Sequence, residues 1–297
     1  MRTLLCATLI PAAVLLAATL PAAAQRVIAK ETEALLVHDD DSYEDIWISI
    51  ATSTAIRYYE NKVDTEPTDM KIAQAKSLYL KEPKEFSEAM DLFQARKYAE
   101  AKAKFAACKD LFKATEAMPG NFSAQGEFYE MECMRKTGDL EGINTLMQRF
   151  KPDPLPREDQ RLQVELYTLW DAVRTKGWQR IETMAADWKA RPLPLNLRTQ
   201  IAYCLGLALE GLKKPAEALN AYSAALVADN GASVELVKPA ALNILRIHRA
   251  DPEVQKAVSR WGKEDEVKHA AGRLRLLEAS AVAHFYLKFI GSELPPE

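Results

Sequence analysis

A fixed interval constrains this chain more than any other feature of its sequence. Five times between residues 89 and 257 a small or apolar residue is followed, twelve positions later, by another. The pairs are Ala89 and Ala101, Met131 and Ile143, Leu169 and Ile181, Gly206 and Ala218, and Leu245 and Ala257. A constant offset of this kind holds two helices of one hairpin in a single register at their closest approach, where small side chains let the backbones come near. A residue one turn further on fills the adjoining gap: Phe105, Met147, Ala185, Tyr222 and Trp261. Polar turns such as Ala95-Arg96-Lys97 lie inside the pairs. Between successive pairs stand the breakers Met118-Pro119-Gly120, Lys151 to Pro156, Arg191 to Pro194 and Asp229-Asn230-Gly231. Proline and glycine stop helices for local reasons, so residues 81–262 read as about five helical hairpins.

The pattern resembles the tetratricopeptide repeat, which has a small residue in its first helix and, in its second, an alanine followed four residues later by an aromatic. Ala89, Ala101 and Phe105 fit it, with Tyr98 opening the second helix. The copy from Ile201 to Leu226 fits best: Leu205-Gly206 matches the family's Leu-Gly, Ala218 its alanine and Tyr222 its aromatic. Leu209 replaces its tyrosine and Ala202 its tryptophan. The middle copies have lost these signatures, and the steps of 42, 38, 37 and 39 residues between second-helix positions exceed the family's spacing of about 34. The resemblance implies an α-solenoid whose first helices line a concave surface that takes a peptide or partner protein. The residues it places there are Phe86, Met90 and Phe93, then Phe128, Glu132 and Arg135, then Leu166, Trp170 and Val173, and finally Tyr203, Leu207 and Glu210.

Two other segments flank the hairpins. Residues 1–24 carry Arg2, an apolar run from Leu4 to Leu20 and Ala22-Ala23-Ala24, the three-part build of a cleavable export signal cut after Ala24. The mature chain is then periplasmic or secreted, without a membrane span. Residues 25–80 hold strand-like runs rich in Val, Ile, Tyr and Trp, in which Ile46, Ile48 and Ile50 alternate with Trp47 and Ser49. They predict a small antiparallel β domain whose layout is similar to SH3-like or Sm-like barrels. The acidic cluster from His38 to Asp45 lacks the glycine and distal glutamate of a calcium loop and reads as a solvated hairpin tip.

At the other end, Glu264 to Phe289 reads as one long helix within a capping segment, 263–297. Val267, Ala271, Leu274, Leu277, Ala281, Phe285 and Lys288 lie near one stripe, which either folds back on the array or meets a second chain. Outside the signal three cysteines remain, and Cys108 with Cys133 is the pair that an oxidising compartment could bridge. With a formal charge of −3 there is no basic stripe for nucleic acid. No HExxH, GxSxG or GxGxxG motif occurs, and His248, on a packing position of the fifth hairpin, reads as a core or rim residue. The expected fold is mainly α, a solenoid of hairpins preceded by a small β domain. The expected function is a non-catalytic protein-binding scaffold of the cell envelope, with no cofactor and no metal. A subunit that self-assembles through its last helix, and a metal- or ligand-binding protein using the β domain around His38, are the alternatives.

Overall fold

A computed structural model describes residues 31–229, 231, 233–267 and 270–291, so the predicted export signal, 1–24, lies outside the described residues. Five short strands come first: β1 (Thr32–Val37), β2 (Tyr43–Ala51), β3 (Ala55–Tyr59), β4 (Thr68–Lys71) and, after a 3-10 turn, β5 (Ser77–Leu80). They pair antiparallel in the order β4-β3-β2-β1-β5, with Ala34 opposite Ile46, Ile48 opposite Tyr58 and Leu36 opposite Leu78. The ladder leaves β4 and β5 as edges, so the described strands pair as a small open antiparallel sheet. One face buries Ala34, Leu36, Ile46, Ile48, Ile56 and Tyr58 beneath Met118. Ile50 does not join them. The register shifts between Ile48 and Ile50, a bulge turns the strand, and Ile50 faces solvent.

Eleven α-helices are described, and the first ten form five hairpins: α1 (Lys84–Gln94) with α2 (Tyr98–Leu111), α3 (Phe122–Thr137) with α4 (Leu140–Met147), α5 (Glu158–Arg174) with α6 (Trp178–Lys189), α7 (Leu195–Gly211) with α8 (Pro215–Ala228), and α9 (Val234–Ala250) with α10 (Pro252–Arg260). Helix α11 (Ala271–Phe289) follows. In the first four hairpins both members of each twelve-residue pair are buried. The fifth departs. Leu245 and Ala257 are half-exposed, and Ile244 and Val254 take the interior positions, because Asp251 alone separates α9 from α10 where the other turns have two or three residues. Trp261, expected to fill the gap there, is about half exposed.

Two contacts show how closely the helices approach. A Cβ built on Gly206 would lie 2.4 Å from the Tyr222 ring, so the phenol lies flat against the backbone of α7. A Cβ on Gly272 would fall 2.2 Å from the carbonyl oxygen of Glu253, which seats α11 on α10. That second contact, with buried Tyr286, decides which way α11 faces. The predicted stripe points outward at Val267, Leu274 and Leu277, which are exposed, whereas Phe285 packs partly against the core, and the helix begins at Ala271 rather than Glu264, since residues 263–267 form turns and loop.

The hairpin turns share a backbone feature. In the first four hairpins, five residues before the second-helix packing residue stands one in the left-handed conformation: Arg96 (φ 60°), Gly138 (φ 80°), Lys176 (φ 55°) and Lys213 (φ 62°). That conformation costs a residue with a Cβ roughly 1–2 kcal/mol, yet glycine occupies it only once.

The hairpins curl until the two ends of the array meet. The carboxylate of Glu235, in the first turn of α9, pairs with Lys136 and lies 3.7 Å from Arg135, both in the last turn of α3. The Arg96 guanidinium donates to the carbonyl of Gly231 at 3.4 Å. One apolar core therefore runs without a break from Phe86 to Tyr286.

Replacing Gly206 with alanine tests the closest approach. Alanine improves helix propensity by about 1 kcal/mol, but the methyl group collides with Tyr222, and overpacking of this kind costs typically 1–3 kcal/mol. Urea unfolding of Gly206→Ala is expected to show a net loss of stability, and Gly206→Ala with Tyr222→Leu a smaller one.

Candidate protein-binding surface

Six of the twelve predicted groove residues are interior. Phe86, Phe128, Glu132, Arg135, Leu166 and Trp170 are buried, which corrects their assignment to an accessible surface. The aromatic members have packing partners: Phe86 meets Phe105, Phe122 and Tyr129 edge-on or tilted, and Phe128 meets Tyr129. The Trp170 indole donates to the Gln200 side-chain oxygen at 2.8 Å. Gln200 in turn exchanges two amide hydrogen bonds with Gln163, of 2.7 and 3.0 Å, which ties α5 to α7.

Arg135 is the hub of this interior. Its guanidinium makes two hydrogen bonds to Glu132, of 2.8 and 2.9 Å, and its other edge faces Glu235. The Tyr167 hydroxyl, from α5, donates to Glu132 at 2.7 Å. Burial alone would raise the pKa of Glu132, but Arg135 and the Tyr167 hydrogen bond outweigh it and hold the carboxyl below its ordinary value. Burial would likewise lower that of Arg135, and Glu132 with Glu235 holds it above. Tyr167 is pushed up by burial and by the adjacent carboxylate. The three polar groups interlock as a charged acid, a charged base and a neutral phenol.

The other six residues, Met90, Phe93, Val173, Tyr203, Leu207 and Glu210, are half-buried. Phe93, Val173 and Glu210 stand three residues before the left-handed turn residues Arg96, Lys176 and Lys213, all of which are exposed. Phe93, Val173 and Glu210 therefore lie near the exposed turn cations, while Met90, Phe93, Val173, Tyr203 and Leu207 also pack partly against the core. Glu210 pairs there with Arg246 of α9.

The remaining candidates are placed as follows. Cys108 and Cys133 are buried free thiols, so the bridge considered from the sequence does not form. The reason is register: Cys108 packs beside Gly126 of α3, and Cys133 lies two turns further along that helix, about 10 Å away. Disulfide Cα atoms must approach within about 7 Å. Burial pushes the two thiols up to about 11 and about 12, so neither is a reactive thiolate. In the sheet, His38 and Glu44 are 3.1 Å apart, and Asp40 accepts from the Ser42 amide in the β1–β2 turn. Among the described residues no group of three His, Cys, Asp or Glu side chains is placed to hold a metal ion, and no helix is long and apolar enough to cross a membrane.

No family model, no curated protein and no solved structure matches this chain.

The residues that close the interior, Tyr167, Gln200 and Glu235, carry no signal in the sequence that could have assigned them. A periodic pattern identifies which face of a helix is buried but not which charge meets which across a hundred residues.

Two measurements probe the interior. Arg135→Ala leaves the buried Glu132 carboxylate with the Tyr167 hydroxyl alone, while Glu235 keeps Lys136, and removing one partner of a buried pair costs about 3–5 kcal/mol; chemical unfolding is expected to show that loss, and Arg135→Ala with Glu132→Gln a smaller one. His248 is buried with no hydrogen-bond partner at Nδ1, between Asp251 and the Arg275 and Glu278 side chains of α11. Desolvation, aided by Arg275, outweighs the two acids and lowers its pKa from 6.5. The neutral ring is the form that fits, so its contribution is complete above pH 6.5 and is lost as pH falls through the depressed value. Melting temperature should therefore drop on acidification in that window, and His248→Gln should flatten the drop.

Proposed function

We propose that this protein is a non-catalytic scaffold, exported to the cell envelope or beyond, that holds a protein partner along the turn rim of tetratricopeptide-like hairpins. The observation carrying this reading is the row of exposed cations at equivalent positions in three hairpin turns, Arg96, Lys176 and Lys213, each beside a half-buried side chain of the preceding helix. Lys176 and Lys213 stand in successive hairpins and the Gly138 turn separates them from Arg96, so the row offers charge at uneven intervals to an extended or helical segment. The partner that suits it is acidic with apolar side chains on one face. Phe93, Val173 and Leu207 would bury its apolar groups, and the cations would steer its approach and fix its register.

The left-handed turns supply an unusually clean test. Arg96→Gly, Lys176→Gly and Lys213→Gly each remove a cation while relieving backbone strain, and Arg96→Gly also gives up the exposed 3.4 Å contact with Gly231, so the triple variant is expected to fold about as stably as the wild type. Crosslinking capture from the native envelope should then recover a specific partner with the wild type and lose it with the triple variant, and added salt should weaken the wild-type capture. Retention of the same partner by the folded variant would refute the rim assignment.

A further inference from the structure

The second hairpin interrupts the row of exposed turn cations. Glycine holds its left-handed position, and the nearest cation, Lys136, stands two residues earlier on α3 with its side chain only 12 % exposed. That cation is engaged: Lys136 and Arg135 both face one oxygen of Glu235, in the first turn of α9. Four residues before Glu235, the carbonyl of Gly231 meets the Arg96 guanidinium at 3.4 Å. Burial first, and then the Glu235 charge, raise the pKa of the Tyr98 phenol at the start of α2. Cations of the first two hairpins thus converge on one acid of the fifth and on the segment that leads to it.

The fit of Glu235 to these cations is incomplete. The Nη1 of Arg135, in a side chain 3 % exposed, makes no hydrogen bond and stands 3.7 Å from the Glu235 oxygen. A carboxylate free to choose its approach would accept from Nη1 as well as from Lys136, and charge-assisted bonds of that kind close to about 2.7–2.9 Å. Glu235 has no such freedom, because its helix is fixed elsewhere. Leu236, Val237, Ala240 and Ala241 are buried, and α9 packs on α7, α8, α10 and α11. The site therefore offers a donor that its occupant does not use. It also lies at the gap in the row, between Arg96 of the first hairpin and Lys176 of the third.

We propose that Arg135 and Lys136 form a carboxylate-binding site which Glu235 fills in the free protein and an acidic side chain of the bound segment takes over. The proposal rests on the turn-rim reading above and adds to it a competitor within the chain. Leaving both cations without Glu235 or a replacement is unfavourable, since each is largely buried. Glu235 therefore gives way only as another carboxylate arrives, and the closure it secures persists until then. The free protein accordingly binds acidic segments more weakly than its cations alone would allow.

Fluorescence anisotropy of a labelled oligoglutamate peptide at low salt tests this on the purified full chain, with circular dichroism as the check on folding. Glu235→Gln is expected to bind the peptide several-fold more tightly than the wild type, and adding Lys136→Gln should remove the gain. Glu60→Gln, the same change of charge on the exposed end of β3, should bring none. Hydrogen exchange of the unaltered protein gives a reading that does not depend on how a variant folds: saturating peptide should speed exchange at the start of α9. A folded Glu235→Gln that binds no more tightly than the wild type would overturn the proposal. So would a gain that survives Lys136→Gln or is matched by Glu60→Gln, or exchange at α9 that peptide leaves unchanged or slows. The triple glycine variant separates the two readings. If it loses the peptide that the wild type binds while Glu235→Gln brings no gain, the rim stands and only the competitor falls; if no form binds the peptide, both fall.

Discussion

The architecture depends on one buried ion pair. Arg135 and Glu132 sit on successive turns of α3 with almost no solvent contact, and a charge so placed is tolerable only when it is paired and hydrogen-bonded. Glu132 needs the Tyr167 hydroxyl as well as the guanidinium, and the Nη1 of Arg135, which makes no hydrogen bond, lies 3.7 Å from the Glu235 carboxylate. Those two requirements fix α5 on one side of α3 and the start of α9 on the other. A stack of hairpins has a soft curvature when its neighbours meet through apolar contacts alone. Here the curvature is pinned, because relaxing it would leave Arg135 facing hydrocarbon.

Pinning has a consequence for binding. With the end of α3 in contact with the start of α9, the inner faces of the first helices meet each other rather than a ligand, and Phe86, Phe128, Leu166 and Trp170 become core. Gln163, Gln200 and Trp170 satisfy one another in that interior and leave no unpaired amide to attract a peptide. What stays accessible is the end of each first helix, where α1, α5 and α7 run out into their turns. The surface available to a partner is thus set by how tightly the array closes, a property of the whole chain that no single hairpin encodes.

Much of the fold was legible because it is local. Of the five hairpins that the twelve-residue offset predicts, four have both packing residues buried, and the Gly206 to Tyr222 contact gives that offset a steric cause. Proline and glycine clusters mark the connections for the same local reason. Legibility fails where a distant element decides. Ile50 continues the alternation of Ile46 and Ile48 in sequence, and a bulge, invisible to alternation, turns it outward. Helix α11 carries apolar residues on more than one side, and the contact of Gly272 with Glu253, with buried Tyr286, shows which side packs. Half of the residues expected to line a groove are buried in the core.

The hairpin turns show how stability and surface chemistry are kept apart in this molecule. Gly138 demonstrates that glycine can occupy the left-handed position, and there the neighbouring groups Arg135 and Lys136 are already engaged with Glu235. At the other three turns the chain carries Arg96, Lys176 and Lys213 in the same conformation and accepts the strain. Those turns are exposed, whereas the ion pairs that secure the fold lie inside or between helices, as with Glu132 and Arg135. A cation that contributes to packing would be placed where its charge is shielded; these three are placed where it is not. Their positions follow the hairpin register rather than the requirements of the core, and it is that register which turns three separate side chains into a row.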